Sequence, residues 1–170
     1  AWRCNNTAVT ILSGEGDIIL RADALGPSPS TPGEGLVARV VEVQGLEELK
    51  TLDSDTIAGK IVFFNKPVNL KLVNTFQCYG SAIDQRYHGP ALAAEMGAAG
   101  VLVRSVTTKH DTFPHTGSTG FEDRKIPCAA ISTVDADILS DALKADNNMQ
   151  VKMVIDAEDL LEITSFNLIA

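Results

Sequence analysis

The chain has 170 residues, 45% of them apolar and 21% charged, a size and balance that suit a single globular domain over 1–170. Its 14 basic against 22 acidic side chains give a net charge of −8, which argues against a nucleic-acid partner because a phosphate backbone rewards a basic face. No apolar stretch approaches the roughly 20 residues of a membrane-spanning helix, and the first residues lack a basic-then-apolar signal pattern, so no membrane partner is expected.

Taken in chain order, residues 8–12, 18–20 and 36–43 are short runs rich in β-branched side chains and bounded by turn residues, and they are predicted as strands. Residues 27–35 form a loop. A short helix is expected over 46–52; its adjacent acids Glu47 and Glu48 resemble a di-zinc ligand pair in type, but with no histidine nearby they read as a solvated face. Residues 61–64 are a strand, 65–89 are poor in regular signals, and 90–96 are a helix with Pro90 in its first turn and Gly97 at its left-handed end. The strand at 101–106 carries Arg104, a guanidinium that must find a partner or the surface: a buried ion pair is the first reading and a ligand contact the second. Residues 107–125 form a second long loop, and 129–132 are a strand. The helix at 134–144 has Thr133 or Asp135 as its cap and Ile138, Leu139, Ala142 and Leu143 as its core stripe, and 151–155 are the last strand.

The order strand 61–64, helix 90–96, strand 101–106 implies a parallel pair, and the earlier strands are expected to pair antiparallel. The fold class is therefore α/β: layered, with a mixed sheet and two to three helices, and with a second small sheet from the terminal strands.

Candidates for chemistry are few. There is no Gly-x-Ser-x-Gly elbow for a serine hydrolase and no Gly-Lys-Ser/Thr for a phosphate loop, and Gly14-Glu15-Gly16 opens no helix. The three cysteines, Cys4, Cys78 and Cys128, lack metal-type spacing and read as small buried thiols; their redox state and compartment stay open. His110, Asp111 and His115, in a loop that also holds Glu122 and Asp123, are the nearest approach to a metal site, and solvated or backbone-bonded side chains are the plainer reading. His88, just before a helix, reads as a local packing or capping residue.

Four ordered segments carry a resemblance. They are Ile57-Ala58-Gly59-Lys60-Ile61-Val62-Phe63-Phe64-Asn65-Lys66-Pro67; Tyr87-His88-Gly89-Pro90-Ala91 with Ala98-Ala99-Gly100-Val101-Leu102-Val103-Arg104-Ser105-Val106; Pro114-His115-Thr116-Gly117; and Ile126-Pro127-Cys128-Ala129-Ala130-Ile131-Ser132 with Asp135-Ala136. In order and spacing they resemble the protease-associated domains of plasma glutamate carboxypeptidase-like zinc exopeptidases. Ser165-Phe166-Asn167-Leu168-Ile169-Ala170 resembles the strand that leads into the catalytic domain there.

The resemblance implies a swivelling β/β/α domain that is not itself an enzyme, excised from a larger peptidase whose catalytic domain is expected after 170. The abrupt start at Ala1-Trp2-Arg3 and the stop within an apolar run fit that expectation. The zinc ligands of such enzymes, a His-x-Asp motif and a Glu-Glu pair among them, belong to the catalytic domain. No His-x-Asp occurs here, so no catalytic or metal residue and no cofactor is assigned to this segment, and zinc is expected in the catalytic domain.

The implied partners are that domain, a peptide substrate and, in the parent enzyme, a second copy; the implied location is secreted or periplasmic. Tyr87, His88, Arg104, His115, Thr116 and Gly117 are the candidate substrate or partner contacts, with a tight turn at Thr116-Gly117 as the structural alternative. Two other functions are weighed: a free-standing protein-interaction module, and a loop metalloenzyme using His110, Asp111 and His115.

Overall fold

The three central strands are buried on both faces, which is why they read as unbroken apolar runs rather than alternating ones. A computed structural model describes residues 1–121, 124–161 and 164. Its elements are β1 (Trp2–Leu12), β2 (Ile18–Leu20), β3 (Ala22–Ala24), β4 (Leu36–Val43), α1 (Leu46–Leu49), α2 (Ser54–Ile57), β5 (Ile61–Phe64), α3 (Thr75–Gly80), α4 (Ile83–Tyr87), α5 (Gly89–Glu95), β6 (Gly100–Arg104), β7 (Cys128–Ile131), α6 (Thr133–Ala145) and β8 (Gln150–Asp159). The segment resembling a strand into a catalytic domain, Ser165 to Ala170, lies outside the described residues, as do Glu122 and Asp123.

On β5, Ile61 and Phe63 point into one cluster and Val62 and Phe64 into the other, the period of two expected of a strand. The first cluster fills the inside of the curled sheet, where Val9, Ile11, Val40, Val151, Met153 and Ile155 meet Ala136 and Leu139 of α6. The second lies under the helices on the other face, where Leu49, Ile57, Ala93 and Ala94 cover Val62, Phe64, Val101 and Val103. Helix, sheet and curled sheet thus make the layers of an α/β domain.

The strands run in the order β2-β1-β8-β4-β5-β6-β7-β3, with β4-β5, β5-β6 and β6-β7 parallel and the other pairs antiparallel. The two strands at the ends of this order are consecutive in sequence, separated by Arg21 alone. One short stretch therefore pairs with β1 through β2 and with β7 through β3, and it bends the sheet into a nearly closed ring. Asp135, only 1% exposed, holds the break: one oxygen accepts from the Arg21 backbone N–H at 3.2 Å, and the other accepts from the Arg21 guanidinium at 3.3 Å. The Ser132 N–H returns a bond to the Arg21 carbonyl at 3.1 Å.

Side-chain hydroxyls finish the edges. Thr7 Oγ1 accepts from the Ala24 N–H at 3.1 Å, and the Thr116 hydroxyl donates to the Ala24 carbonyl at 2.6 Å. Past the end of β4, the loop with Ser30 and Thr31 takes over pairing with β8: Thr31 N donates to the Ile155 carbonyl, and Ile155 N and Ala157 N donate to the Thr31 and Ser30 hydroxyls.

Several expectations are corrected. The terminal strands β1 and β8 do pair along their length, but they continue the main sheet through β4 instead of forming a second one. β4 pairs parallel with β5 although it was grouped with the antiparallel strands. Six helices occur among the described residues where two to three were expected, because α2, α3 and α4 are only four to six residues long, too short for a periodic signal. Asn74 starts α3 by accepting from Phe76 N and Gln77 N, inside the segment read as irregular.

β1 begins six residues earlier than predicted, because ladder pairing to β8 carries the polar residues between Trp2 and Thr7. The cap of α6 is Ser132, whose hydroxyl accepts from Asp135 N, whereas Thr133 is the first helical residue and Asp135 serves the seam. Ile138 is 37% exposed and leaves the core stripe, its place taken by Ala136.

Cys78 and Cys128 are buried, Cys4 is half-buried, and all three are free thiols. Burial pushes the Cys128 thiol from its ordinary 9.0 up to about 12, a rise only partly opposed by its contact with Ser28.

Two outcomes follow from this architecture. Asp135→Ala removes the seam bonds and is expected to lower unfolding stability by about 2–4 kcal/mol, read as a reduced urea midpoint; an unchanged midpoint would show that the break at Arg21 holds without it. Iodoacetamide at pH 8 is expected to label Cys4 in the native chain and Cys128 only after unfolding. Because the folded-state pKa of Cys128 lies above the unfolded one, its contribution to stability is intact below about pH 9 and is lost as the pH rises towards 12.

Candidate functional site

Chemistry-bearing side chains gather where the parallel strands end, the usual place for ligands in open α/β sheets. Val103 is fully buried, and the next residue of β6, Arg104, has its side chain 13% exposed. Its Nη1 donates to Asp137 Oδ1 on α6 at 2.6 Å and to Asn65 Oδ1 at 3.1 Å. Asn65 follows β5 directly and donates from Nδ2 to Glu42 Oε1 of β4 at 2.6 Å, and the Ser140 hydroxyl of α6 bonds the same Glu42 carboxylate. At the other end Asp137 Oδ2 lies 2.9 Å from His110 Nε2. Partial burial of Asp137 works to raise its pKa, but the bonds from Arg104 and His110 outweigh it, so the carboxyl ends below its ordinary value. The ion-pair reading of Arg104 therefore holds on one side of its guanidinium.

A separate wall is built from α4 and the loop after β6. Tyr87 closes α4, and its carbonyl accepts from Gly120 N at 2.9 Å and from the Thr119 hydroxyl at 3.0 Å. Its ring, on a residue 45% exposed, lies where a methyl group on Gly120 would come within 2.8 Å. His88 joins α4 to α5 and makes no side-chain cap bond; its ring meets that of Tyr87 edge-on at 4.9 Å, so packing rather than capping is its role.

His115 is anchored by its backbone N–H to the Ser105 hydroxyl at 2.8 Å, while its Nε2 stands 3.6 Å from Asp111 Oδ2. Thr116 and Gly117 make no tight turn. They run beside Gly26, whose N–H donates to the Gly117 carbonyl at 3.0 Å, and a parallel bridge follows at Ser118. The Arg86 guanidinium packs against Gly117, where a methyl group would sit 2.7 Å from its carbon and would shift the end of that side chain. Thr116 also lines an open cleft with Trp2, Thr7 and Asp23 at the seam of the ring.

The candidates thus fall into two groups. Tyr87, His88, Thr116 and Gly117 share the loop wall, and His115 sits at its edge; Arg104 belongs to the polar chain running from Glu42 to His110. Sequence reasoning missed Arg86, which donates to the Tyr79 hydroxyl at 2.5 Å and lies 5.6 Å from that ring's centre. It also missed Asp137, 33 residues from the guanidinium it holds. Neither pair had a signal in the sequence, since Tyr79 and Arg86 stand on separate short helices and Asp137 is distant from Arg104.

The residues weighed as metal ligands do not fit one ion. His110 is turned to Asp137 and His115 to Asp111, so the trio is divided between two carboxylates. Among the described residues no group of three or more His, Cys, Asp or Glu side chains is arranged to hold a metal. Glu47 instead pairs with Lys50 at 2.7 Å, and Glu48 accepts from Gln44 N at 2.6 Å.

No family model matches the chain. It is similar to carboxypeptidase Q from Bos taurus, 34% identical over 148 residues that make up 86% of this chain and 29% of that protein, and to the Homo sapiens protein at 33% over the same shares. It therefore spans about three-tenths of the length of the curated relatives it matches. Among solved structures, a peptidase M28 precursor from Shewanella amazonensis SB2B is 33% identical with a TM-score of 0.86, covering 93% of this chain and 36% of that one. An aminopeptidase from Aneurinibacillus sp. strain AM-1, 16% identical with a TM-score of 0.61 and covering 93% of this chain and 32% of that one, shares the fold. Over most of its length the chain is thus similar, in sequence and in fold alike, to one segment of these longer peptidases, the match expected of a protease-associated-like domain of an M28 exopeptidase.

Proposed function

We propose that this chain is the non-catalytic accessory domain of a secreted or periplasmic di-zinc exopeptidase, where it covers or shapes the substrate cleft of the catalytic domain. The observation that carries the reading is the partial match: 86% of this chain corresponds to only 29% of carboxypeptidase Q. Zinc, in this reading, is held by the catalytic domain and supplies the Lewis acid of peptide hydrolysis there; His110, Asp111 and His115 take no part in it.

The domain's own work is to exclude water and to orient a peptide end. Tyr87 suits that work, because its backbone is pinned by Thr119 and Gly120 while its ring remains 45% exposed. Phe113, 71% exposed at the tip of the neighbouring loop, offers a second apolar surface. Thr116, Gly117 and Thr119 tie that loop to the body and to the Tyr87 backbone. The partners in this reading are the catalytic domain of the same parent chain and its peptide substrate.

The 170-residue chain alone is expected to be inert on a panel of dipeptides and to carry no stoichiometric metal, beside an active, zinc-loaded full-length enzyme. Peptidase activity or stoichiometric metal in the chain alone would overturn the reading. In the full-length enzyme Tyr87→Ala and Phe113→Ser are expected to raise KM about 3- to 10-fold, with bound zinc unchanged, the size of effect that one lost apolar contact produces. Loss of zinc, or kinetics equal to the parent's, would count against a covering role.

A further inference from the structure

Arg104 is only half used by the ion-pair chain. Both of its hydrogen bonds among the described residues leave from Nη1, so Nε and Nη2 are free to donate elsewhere. Arg104 lines a cleft of about 160 Å³ at the end of β6. Thr107, Thr108, Lys109 and His110 line the same cleft, and no acidic side chain does, on a chain that carries more acids than bases.

The donors on this wall are available. Thr107 Oγ1 accepts from the Lys109 N–H at 3.1 Å and keeps its own hydrogen to donate. Lys109 is exposed and makes no ion pair among the described residues. Asp137, the nearest carboxylate, stands on the Nη1 side of Arg104 and on His110 Nε2, outside the lining, and Asp111 is turned to His115. The opposite wall is apolar, made by Pro67, Val68 and Leu70, with Leu70 69% exposed.

We infer that this cleft binds a small carboxylate carrying a short aliphatic group, with the anion on Arg104 and Lys109 and the aliphatic part against Val68 and Leu70. A guanidinium with two free donor positions matches a planar carboxylate. A monoanion suits the site better than a phosphate dianion, since Asp137 already offsets part of the positive charge. The inference concerns a site on this chain itself and does not rest on the covering role proposed above.

The test is a titration of the 170-residue chain with N-acetyl-leucine, followed by backbone amide NMR shifts, with N-acetyl-leucinamide and inorganic phosphate as controls. Saturable shifts centred on Thr107, Thr108 and Lys109, with a Kd on the order of a millimolar for a ligand of that size, are expected for the carboxylate and not for the amide. Isovalerate in place of N-acetyl-leucine separates a free short-chain acid from a peptide carboxyl end; saturation by either at these residues supports the site. Lys109→Glu sets a carboxylate on the exposed rim without disturbing the core and is expected to weaken binding at least about 10-fold. Arg104→Gln is expected to abolish it, with the amide spectrum elsewhere serving as the check on folding. Equal binding of the amide, tighter binding of phosphate, shifts centred elsewhere, or an unchanged affinity in Lys109→Glu would each overturn the proposal.

Discussion

The buried carboxylate of Asp135 is the contact on which the architecture turns. It stands in the first turn of α6, and it reaches the single residue, Arg21, at which one strand segment leaves β1 and joins β7. A sheet bent this far has to bring its two ends together, and that brings together backbone groups that ladder pairing cannot satisfy. Asp135 and Ser132 satisfy them at Arg21, and the same two residues bond each other at the start of the helix. The helix that fills the ring and the seam that closes it are therefore positioned together, and Leu139 meets Phe63 and Met153 inside as a result.

The functional surfaces follow from the parallel half of the same sheet. Parallel strands end together on one side, so Glu42, Asn65 and Arg104 arrive at adjacent positions although they are far apart in sequence. Their bonds form a line from β4 across to α6. The loop wall around Tyr87 is organised by other means: it is held by backbone carbonyls and threonine hydroxyls. Two adjacent surfaces thus differ in kind, one charged and rigidly partnered, the other aromatic and pinned only through its backbone.

Much of this was legible in the sequence. The runs at 18–20, 36–43 and 61–64 match β2, β4 and β5 because each is bounded by turn residues and rich in β-branched side chains. Pro90 and Gly97 bracketed α5 to within a residue, and Gly97 does adopt a left-handed φ of 85°. What was hidden depended on distant partners. β3 is three residues long, Ala-Asp-Ala, and exists because β7 is beside it. The polar start of β1 has no strand pattern of its own and is a strand because β8 pairs with it. Arg104 announced a partner without naming it, since Asp137 sits on an exposed helix face among other acids. Composition suggests a tight turn at Thr116-Gly117, whereas the segment runs beside Gly26 with the Arg86 guanidinium packed against the glycine.

The hydroxyl groups at the sheet edges have a consequence beyond closing the ring. A strand with free N–H and C=O groups along one side is a template on which a second chain can add, and that is how folded β-proteins begin to aggregate. Here Thr7 and Thr116 occupy the outward groups of Ala24, and Ser30 and Thr31 occupy those of Ile155 and Ala157. These small side chains block addition with single hydrogen bonds that a neighbouring chain would have to displace, and Pro29 and Pro32 flank Ser30 and Thr31 in the covering loop. Threonines and serines that a survey of charge or hydrophobicity would pass over therefore take part in guarding the sheet against addition of a second chain.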